Sequence, residues 1–506
     1  MLVRNLASLS SRRLAGLPVG VWLVASAVPI VLLALAGSYG FHRDEMYFIL
    51  AGRHPDFGYV DQPPLTPLLS AAATQLLGTS PVSVRILPAL VGALGILVCA
   101  AMARRFGAGA TGQVLAAVVL GGSFWLGLCH LDATATFDTF AWTLALWILI
   151  ELLAAPSSER RWGAWLALGL VMGIALENKT LPVFLAASLA GGVIVYRRWE
   201  ILRSPGLWLA IAVSLAIWAP NLIWQAQHGF PQIAMAQHLA EQRSGVAERL
   251  TQIVDLGLLS GPLLWPVPVA GLIWLLRAPE ARSWKPIGAA FLLNLVLMFL
   301  TSGKSYYSAG FVPVLIAAGS VGLERRLAGF SPAGRWLRFG PVAAASTLVV
   351  ALVALPLIPP RQLHTTVVPD LYPESVSQLG WPEMARQTEG VVARLSESER
   401  SHSAIIASNY GVYGALELFG RDLPPVHSGH NATWRWGPPP DGLDVGVLVG
   451  WGDAGARSAL FESCAQVAVI GNDAGIANQE QGQPVHVCTG LRQPWSTSWD
   501  LVRHLD

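Results

Sequence analysis

Long apolar segments separated by short polar connections make up most of the first 360 positions of the chain. A helix needs roughly 20 apolar residues to cross a bilayer, and eleven segments of about that length can be counted. The pattern therefore predicts an α-helical polytopic membrane protein with about 11 transmembrane helices. The predicted segments are 17–39, 82–103, 110–130, 137–155, 162–178, 180–196, 206–225, 252–276, 286–302, 309–323 and 337–358.

The pattern changes after Ile358, where a proline-bearing linker begins. The runs SAIIASNYG and GLDVGVLVGWG are typical of buried strands that end in glycine turns. The runs WPEMARQTEGVVARLSESE and ARSALFESCAQ have the spacing of amphipathic helices. We therefore predict a transmembrane catalytic domain over residues 1–360 and a small soluble α/β domain over residues 361–506.

Basic residues fall in every second connection, and cytoplasmic connections carry such an excess. With the N-terminal arginines inside, an odd number of helices places the C-terminal domain outside the membrane. The first segment is interpreted as an uncleaved helix, because its apolar run is long and lacks a small-residue cleavage site. The first outer loop is then residues 40–80. The basic residues concerned are Arg4, Arg12, Arg13, Arg104, Arg105, Arg160, Arg161, Arg197, Arg198, Arg203, Arg277, Arg282, Lys285, Arg325, Arg326 and Arg335.

Composition agrees with a membrane protein, since 53% of residues are hydrophobic and only 13% are charged. The net charge of +2 gives no indication of nucleic-acid binding. The cysteines have neither CxxC nor zinc-site spacing. Cys99 and Cys129 lie in apolar runs and are predicted to serve packing. Cys464 and Cys488 could form a disulfide if the tail is extracytoplasmic.

Four acidic residues, Asp44, Glu45, Asp56 and Asp61, lie in the predicted first outer loop. Acidic groups beside a membrane span are costly unless they are solvated or functional. Pro63 and Pro64 restrict the backbone directly after Asp61, so that carboxylate is predicted to be held in place. A held carboxylate at a water-filled cleft can act as a general base or a metal ligand. An ordinary polar loop with a helix N-cap is the alternative for Asp44 and Glu45.

Lys179 and Lys304 are predicted to face outward, against the usual bias, and suit the binding of a phosphate group. Arg85, at the outer start of the second helix, is a further candidate phosphate ligand. Cations and aromatic residues at the headgroup layer are the alternative interpretation. The set of predicted substrate-binding residues is Arg85, Asp138, Lys179, Lys304, Tyr306 and Tyr307.

Two histidines, His228 and His238, share one predicted outer connection. A divalent metal held by Asp61 and His238 is one hypothesis, and solvated histidines are the alternative. No other cofactor is indicated. In the tail, aromatic side chains next to amides are typical of sugar recognition, and a packed turn cluster is the alternative. The residues of that group are Asn409, Tyr410, His430, Asn431, Trp434 and Trp436.

The run RDEMYFILAGRHPDFGYVDQPPLTPLL, followed by RILPALVGAL, resembles the first outer loop and second helix of the family-39 glycosyltransferases. These are GT-C membrane enzymes that include protein O-mannosyltransferases and aminoarabinose transferases acting on lipid A. The runs FDTFAWTLALW, ALENKTLPVFL and GKSYYSAGFVPVLIAAG are similar to later blocks of that family. The resemblance covers roughly residues 30–330.

This resemblance implies a GT-C fold, a polyprenyl-phosphate-linked sugar donor and a reaction at the extracytoplasmic face of a bacterial plasma membrane. The acceptor would be a cell-envelope glycan, a lipid or a protein. Asp44 would be the catalytic acid-loop residue, Glu45 its companion and Asp61 the acid before the prolines. Lys304 and the adjacent tyrosines would lie near the lipid phosphate. The aminoarabinose branch has lysine where this chain has Gln62.

Two functions of other classes compete with an inverting glycosyltransferase. A transporter or flippase of lipid-linked sugars would also need charged groups, but such carriers place them near mid-membrane in paired halves. No matching halves are found in this sequence. A glycan-binding envelope assembly protein would use the tail for binding and the membrane part as a scaffold.

Overall fold

The helices of the membrane domain follow the predicted apolar segments closely. The computed structural model describes residues 16–154, 161–241 and 245–505, so residues 1–15, 155 and Arg160 of the predictions lie outside it. The helices up to residue 354 are α1 Val19–Leu35, α2 Arg43–Arg53, α3 Leu65–Leu77, α4 Pro81–Arg105, α5 Ala110–Gly121, α6 Trp125–His130, α7 Thr134–Leu153, α8 Trp162–Leu176, α9 Pro182–Val195, α10 Trp199–Leu202, α11 Pro205–Gln227, α12 Pro231–Glu241, α13 Val246–Leu259, α14 Pro266–Arg277, α15 Lys285–Leu300, α16 Val312–Leu327 and α17 Pro332–Ala354.

Six helices in the described part of the chain are long and apolar enough to cross a membrane. Six shorter apolar helices accompany them. The prediction of a polytopic helical membrane protein is therefore confirmed. The six long helices span Pro81–Arg105, Thr134–Leu153, Pro205–Gln227, Pro279–Leu300, Tyr306–Leu327 and Pro332–Ala354.

Two predicted segments are not single helices. Segment 110–130 is broken between α5 and α6, where Gly122 follows the last turn of α5. Segment 252–276 is broken between α13 and α14, where Gly261 has a φ of 97° and precedes a proline. Glycine adopts that backbone angle without strain, and proline supplies no N–H to continue a helix.

Glycines allow the helices of the membrane domain to pack closely. A Cβ on Gly271 of α14 would lie 1.9 Å from the Leu315 carbonyl oxygen, and one on Gly319 of α16 would lie 2.0 Å from that of Val267. Close approach of backbones at small residues is a common way for membrane helices to associate. This contact joins α14 and α16.

The C-terminal residues form a five-stranded sheet with helices around it. The strands are β1 Ser403–Ala407, β2 Val426–Ser428, β3 Val445–Val449, β4 Phe461–Val469 and β5 Pro484–Leu491, in the order β2-β1-β3-β5-β4. β1 pairs in parallel with β2 and β3, whereas β5 pairs antiparallel with β3 and β4. The accompanying helices are α18 Pro360–Leu363, α19 Val368–Leu371, α20 Trp381–Val392, α21 Glu397–Ser401, α22 Tyr410–Phe419, α23 Ala454–Leu460 and α24 Trp495–Ser498.

The predicted α/β character of the tail is confirmed, with one local correction. β1 and β3 are fully buried, as the runs SAIIASNYG and GLDVGVLVGWG predict. The run ARSALFESCAQ is helical only as far as Leu460, because its second half pairs with β5 as strand β4. Cys464 and Cys488 lie opposite each other in that pairing and form a disulfide.

Helix α2 belongs to the core of the C-terminal domain as much as to the 40–80 loop. Its Met46, Ile49 and Leu50 are buried in one apolar cluster with residues of α20, α22 and the sheet. A Cβ on Gly414 of α22 would lie 2.8 Å from the Met46 Cβ, so only glycine fits there without movement. The domain therefore packs directly on the loop that carries the predicted catalytic acids.

Candidate active site

The start of helix α2 places Asp44 and Glu45 through a capping box. The His42 N–H donates to Glu45 Oε2 at 2.8 Å, and the Asp44 N–H donates to His42 Nδ1 at 3.2 Å. Such reciprocal bonds satisfy backbone N–H groups that a helix start leaves unpaired. The two acids therefore have fixed backbone positions.

Glu45 forms a buried two-pronged ion pair with Arg85 of α4. Arg85 Nε donates to Glu45 Oε1 and Arg85 Nη2 donates to Glu45 Oε2, each at 2.8 Å. Both side chains are almost fully buried. The N–H of Asp132 also donates to Glu45 Oε1, at 3.0 Å. The pair therefore ties the 40–80 loop to the first long membrane helix.

The remaining donors of Arg85 bind the surrounding chain. Arg85 Nη1 donates to the Ala36 carbonyl at 2.6 Å, and Nη2 donates to the Gly40 carbonyl at 2.9 Å. Nη2 also reaches Gln378 Oε1, at 3.1 Å, in the segment that leads to the C-terminal domain. Arg85 thus joins three parts of the chain.

Asp44 differs from its neighbour because its side chain is 37% exposed. Its Oδ1 accepts a hydrogen bond of 2.8 Å from the Tyr410 hydroxyl, which comes from the first residue of α22. The Arg43 guanidinium carbon lies 4.5 Å from the centre of the same tyrosine ring. Asp44 is therefore oriented from the C-terminal domain and still accessible to a ligand.

Asp61 is held in a matching way by Tyr47, whose hydroxyl donates to Asp61 Oδ1 at 2.9 Å. The rings of Tyr47 and Tyr410 lie 4.7 Å apart. Burial is the main cause that raises the pKa of Asp61 to about 7, and the nearby charge of Asp44 raises it further. The hydrogen bond from Tyr47 acts in the opposite direction and lowers this pKa. The two acids therefore interact electrostatically.

The turn before the two prolines is fixed by Tyr59. Its hydroxyl donates to the Ala51 carbonyl at 2.8 Å, and its N–H donates to the Gln62 carbonyl at 2.8 Å. After the prolines, the Leu65 N–H donates to the Glu177 carbonyl at 2.9 Å. These bonds hold the segment with Asp61 against the end of α8.

The structure brings two of the predicted cationic residues, Lys179 and Lys304, close enough to interact electrostatically. The Lys179 ammonium lies 5.1 Å from the ring centre of Tyr306 and 5.0 Å from that of Tyr307. Lys179 also interacts electrostatically with Asp44, with Lys304 and with Asp138. Asp138 Oδ1 accepts a hydrogen bond of 3.1 Å from the Trp142 indole.

Glu374 of the linker is a member of the site that the sequence did not reveal. Its Oε2 lies 2.8 Å from His42 Nε2. The hydrogen bond from His42 lowers the pKa of Glu374 to about 2, in spite of burial, and the Lys304 charge lowers it further. Burial lowers the pKa of His42, but the Glu374 and Asp44 carboxylates more than offset this and raise it overall. His42 and Glu374 therefore form an ion pair beside Asp44.

The metal-site hypothesis concerns Asp61 and His238. Within residues 16–154, 161–241 and 245–505, no three His, Cys, Asp or Glu side chains are arranged to hold a metal ion. His228 Nδ1 lies 2.7 Å from the Trp224 carbonyl oxygen. The pairing of Asp61 with His238 stays a prediction.

The aromatic residues of the tail pack mainly on one another and on α2. Trp436 stacks on His54 at 4.5 Å, and the Arg503 guanidinium lies 4.4 Å from the Trp434 ring centre. His430 lies between the rings of Tyr410 and His504, at 4.9 and 4.7 Å. The tryptophans therefore follow the packed-cluster alternative.

The fold of this chain is similar to that of a solved membrane-protein structure. The chain superposes on ArnT from Cupriavidus metallidurans over 92% of its own length and 97% of that chain. The TM-score is 0.61 for the apo structure and 0.59 for the structure bound to undecaprenyl phosphate, with 17% sequence identity in both cases. At this identity the likeness shows the fold.

Sequence comparisons agree with the fold. Residues 61–224 match the family model described as dolichyl-phosphate-mannose-protein mannosyltransferase. A curated relative, the lipid A galacturonosyltransferase RgtD of Rhizobium johnstonii, is 26% identical over 203 residues, which cover 40% of this chain and 41% of that protein. Residues 61–224 are therefore similar to that family, and most of the chain shares the fold of ArnT, in agreement with the resemblance found in the sequence.

Proposed function

We propose that this protein is an inverting glycosyltransferase that moves a sugar from a polyprenyl-phosphate donor to an extracytoplasmic acceptor. The observation that carries the proposal is the position of Asp44, a partly exposed carboxylate that interacts with Lys179 and is fixed by Tyr410. A base beside cations is what sugar transfer from a phosphate needs. The acceptor is a glycan, a lipid or a protein of the cell envelope.

The proposed location is a bacterial inner membrane with the C-terminal domain and the 40–80 loop on the extracytoplasmic side. The alternation of basic connections supports this orientation. The Cys464–Cys488 disulfide supports it independently, because disulfides persist in oxidising compartments and are rare in the cytosol. Contact between α2 and the C-terminal domain requires both to be on one side.

The donor phosphate is assigned to Lys179 and Lys304, with Tyr306 and Tyr307 beside them. Each lysine makes it less favourable for the other to carry its positive charge, since like charges in a partly buried site repel. A phosphate between them would relieve that cost and gain charge-assisted hydrogen bonds. Asp138 balances part of the positive charge before the donor binds. The structure of ArnT bound to undecaprenyl phosphate supports a lipid phosphate as the ligand of such a fold.

The reaction proposed is a single displacement at the anomeric carbon of the donor sugar. The acceptor hydroxyl oxygen forms a bond to that carbon while the bond from the carbon to the phosphate oxygen breaks. The electron pair leaves with the phosphate, whose growing charge the lysines stabilise. The acceptor proton moves to Asp44, a contribution typically worth about 10² to 10⁴ in rate.

The other acids receive different roles in this proposal. Glu45 and Arg85 are positioning residues, because they form an ion pair with each other and hydrogen bonds with the backbone. The charge of the nearby Asp44 raises the pKa of Asp61. We assign Asp61 to hydrogen bonding with substrate hydroxyls. Its proposed catalytic role therefore becomes one of substrate binding.

The test uses the purified full-length protein in lipid nanodiscs. It is incubated with radiolabelled polyprenyl-phosphate sugars and with membrane extract as the source of acceptor, and the labelled products are separated. The expected result is transfer from at least one donor with inversion at the anomeric carbon. Release of free sugar only, or unchanged donor with every sugar tried, would overturn the proposal.

A further inference from the structure

A cavity lies in the C-terminal domain, and neither the lysines nor Asp61 line it. Its volume is about 350 Å³, and its walls include Ser408 and Asn409 after β1 and Gly450 after β3. These are the carboxyl ends of two adjacent parallel strands. From β1 the chain turns away to α22 and β2, so the crevice between β1 and β3 is where the strand order reverses. Ligands of α/β sheets bind at such a switch point.

Two buried polar atoms in the cavity wall have unused hydrogen-bonding capacity. Among the described residues, neither His430 Nε2 nor Glu480 Oε1 has a hydrogen-bond partner. The two residues are only 1% and 5% exposed. A buried polar group without a partner destabilises the folded protein, because it loses its hydrogen bonds to water. Two such groups in one cavity therefore point to a ligand that satisfies both.

The hydrogen bond to the other ring nitrogen of His430 shows whether Nε2 is a donor or an acceptor. The Tyr410 N–H donates to His430 Nδ1 at 3.0 Å, so Nδ1 is the acceptor and Nε2 carries the hydrogen. Burial lowers the pKa of His430 to about 3, and the ring is therefore neutral. Burial raises the pKa of Glu480. The cavity thus presents a donor from His430 and an acceptor from Glu480.

We propose that this cavity binds a single uncharged sugar ring. Sugar hydroxyls both donate and accept, which fits Glu480 and His430 on the polar side. Met384, Val412 and Ile470 form an apolar side for the CH groups of the ring. The volume is at the small end of ligand pockets, which run from roughly 300 to 1,000 Å³. An anionic ligand is disfavoured, because it would be buried next to the Glu480 carboxylate.

Two residues, Tyr410 and Arg43, connect the cavity with the candidate active site. Tyr410 binds His430 through its N–H, stacks on that ring and reaches Asp44 with its hydroxyl. Arg43 connects the two places a second time, since it covers the Tyr410 ring and donates to Gln479 in the cavity wall. A bound sugar would therefore stabilise the position of the side chain that holds Asp44. A free monosaccharide and one ring of a larger glycan present the same hydroxyls to this site.

The first experiment measures binding by the full-length protein in nanodiscs with saturation-transfer NMR. The probes are the methyl glycosides of glucose, galactose, mannose and N-acetylglucosamine, with methyl galacturonoside and inorganic phosphate as anions. Binding of at least one neutral glycoside is expected, weakened about tenfold by Glu480→Gln and by His430→Phe. The exposed Glu462→Gln serves as the matched control and should bind as the parent does. Binding of the anions alone, or of none of the probes, would overturn the proposal.

A second readout covers the case in which those variants fold poorly. Ser408→Cys places a thiol in the cavity wall, and Ser401→Cys places one on the exposed surface of the same domain. A saturating neutral glycoside should slow maleimide labelling at position 408 and leave position 401 unchanged. Equal labelling rates with and without every glycoside would contradict the proposal.

Comparing a methyl glycoside with an oligosaccharide of the same sugar distinguishes a free monosaccharide from a glycan. Asp44→Asn should bind the glycoside normally, so failure of sugar transfer and failure of this site are separable.

Discussion

The hydroxyl of Tyr410 donates a hydrogen bond of 2.8 Å to Asp44, although 366 positions separate the two residues. The C-terminal domain thereby supplies part of the geometry around the proposed base. Tyr410→Phe keeps the stacked ring and removes only this bond. We expect kcat to fall about tenfold, as for loss of a hydrogen bond to a charged group, with little change in the donor KM. Tyr413→Phe in the same helix is the control, and equal kcat in both variants would contradict this role.

Asp44→Asn tests the proposed base directly. The amide has the same shape but cannot accept the acceptor proton, so transfer should fall by about 10² to 10⁴. The protein should keep its melting temperature, because the side chain is partly exposed. Asp56→Asn, at an exposed position of the same loop, is expected to transfer normally. Full turnover by Asp44→Asn would remove this residue from the mechanism.

The buried pair of Glu45 and Arg85 should affect stability before it affects chemistry. Arg85→Met leaves the Glu45 carboxylate buried and unpaired, a change that typically costs about 3–5 kcal/mol. We expect a large loss of melting temperature in detergent and poor recovery of folded protein. Glu280→Gln, which removes the exposed partner of Arg325, is the control and should change nothing measurable. An unaffected Arg85→Met protein would show that the pair has no structural role.

The lysines should act on donor binding. Lys179→Met and Lys304→Met each remove a charge from the proposed phosphate site, and the donor KM should rise about tenfold because a charge-assisted contact is lost. Lys285→Met, at the start of α15, provides a control with the third lysine of the chain. The measurement is initial rate against donor concentration. A donor KM that is the same in all three variants would exclude this phosphate site.

The ion pair between His42 and Glu374 predicts a pH window for stability. The pKa of His42 is raised, so its contribution is complete below about pH 6.5 and is lost as the pH rises through the raised value. The pKa of Glu374 is lowered to about 2, so its contribution is present above about pH 4.5 and is lost as the pH falls towards 2.

Glu374→Gln should therefore lower the melting temperature most between about pH 4.5 and 6.5. The difference from the parent protein should shrink as the pH rises through the raised pKa of His42. Glu397→Gln, an exposed residue of the same domain, should give a flat difference across the range. A Glu374→Gln difference that grows with pH would show that the pair does not form.

The sequence predicted the elements whose signals are local. Apolar length was enough to find the membrane helices, and short apolar runs that end in glycine turns were enough to find β1 and β3. The break at Gly261 and the strand at Phe461–Val469 were not predicted. In both cases the deciding interaction is a backbone angle or a strand partner that the pattern of hydrophobic residues does not encode.

The same limit applies to the site. Asp44, Lys179 and Lys304 were identified because charged groups beside apolar segments are conspicuous. Glu374 was missed because its partner His42 is 332 positions away and its own surroundings form an ordinary proline-bearing linker. For Tyr410 the sequence left sugar recognition and a packed turn cluster open, and neither predicted the hydrogen bond from its hydroxyl to Asp44. Long-range partners of this kind leave no mark in the local sequence.

Because α2 is buried partly in the C-terminal domain, the two regions are a single folding unit rather than modules that can be exchanged. The Met46 side chain occupies the space that Gly414 leaves open. A chimera that takes its tail from another protein must therefore take the matching α2 with it. Evolution of a new acceptor preference through this tail would likewise require paired changes on both sides of that contact.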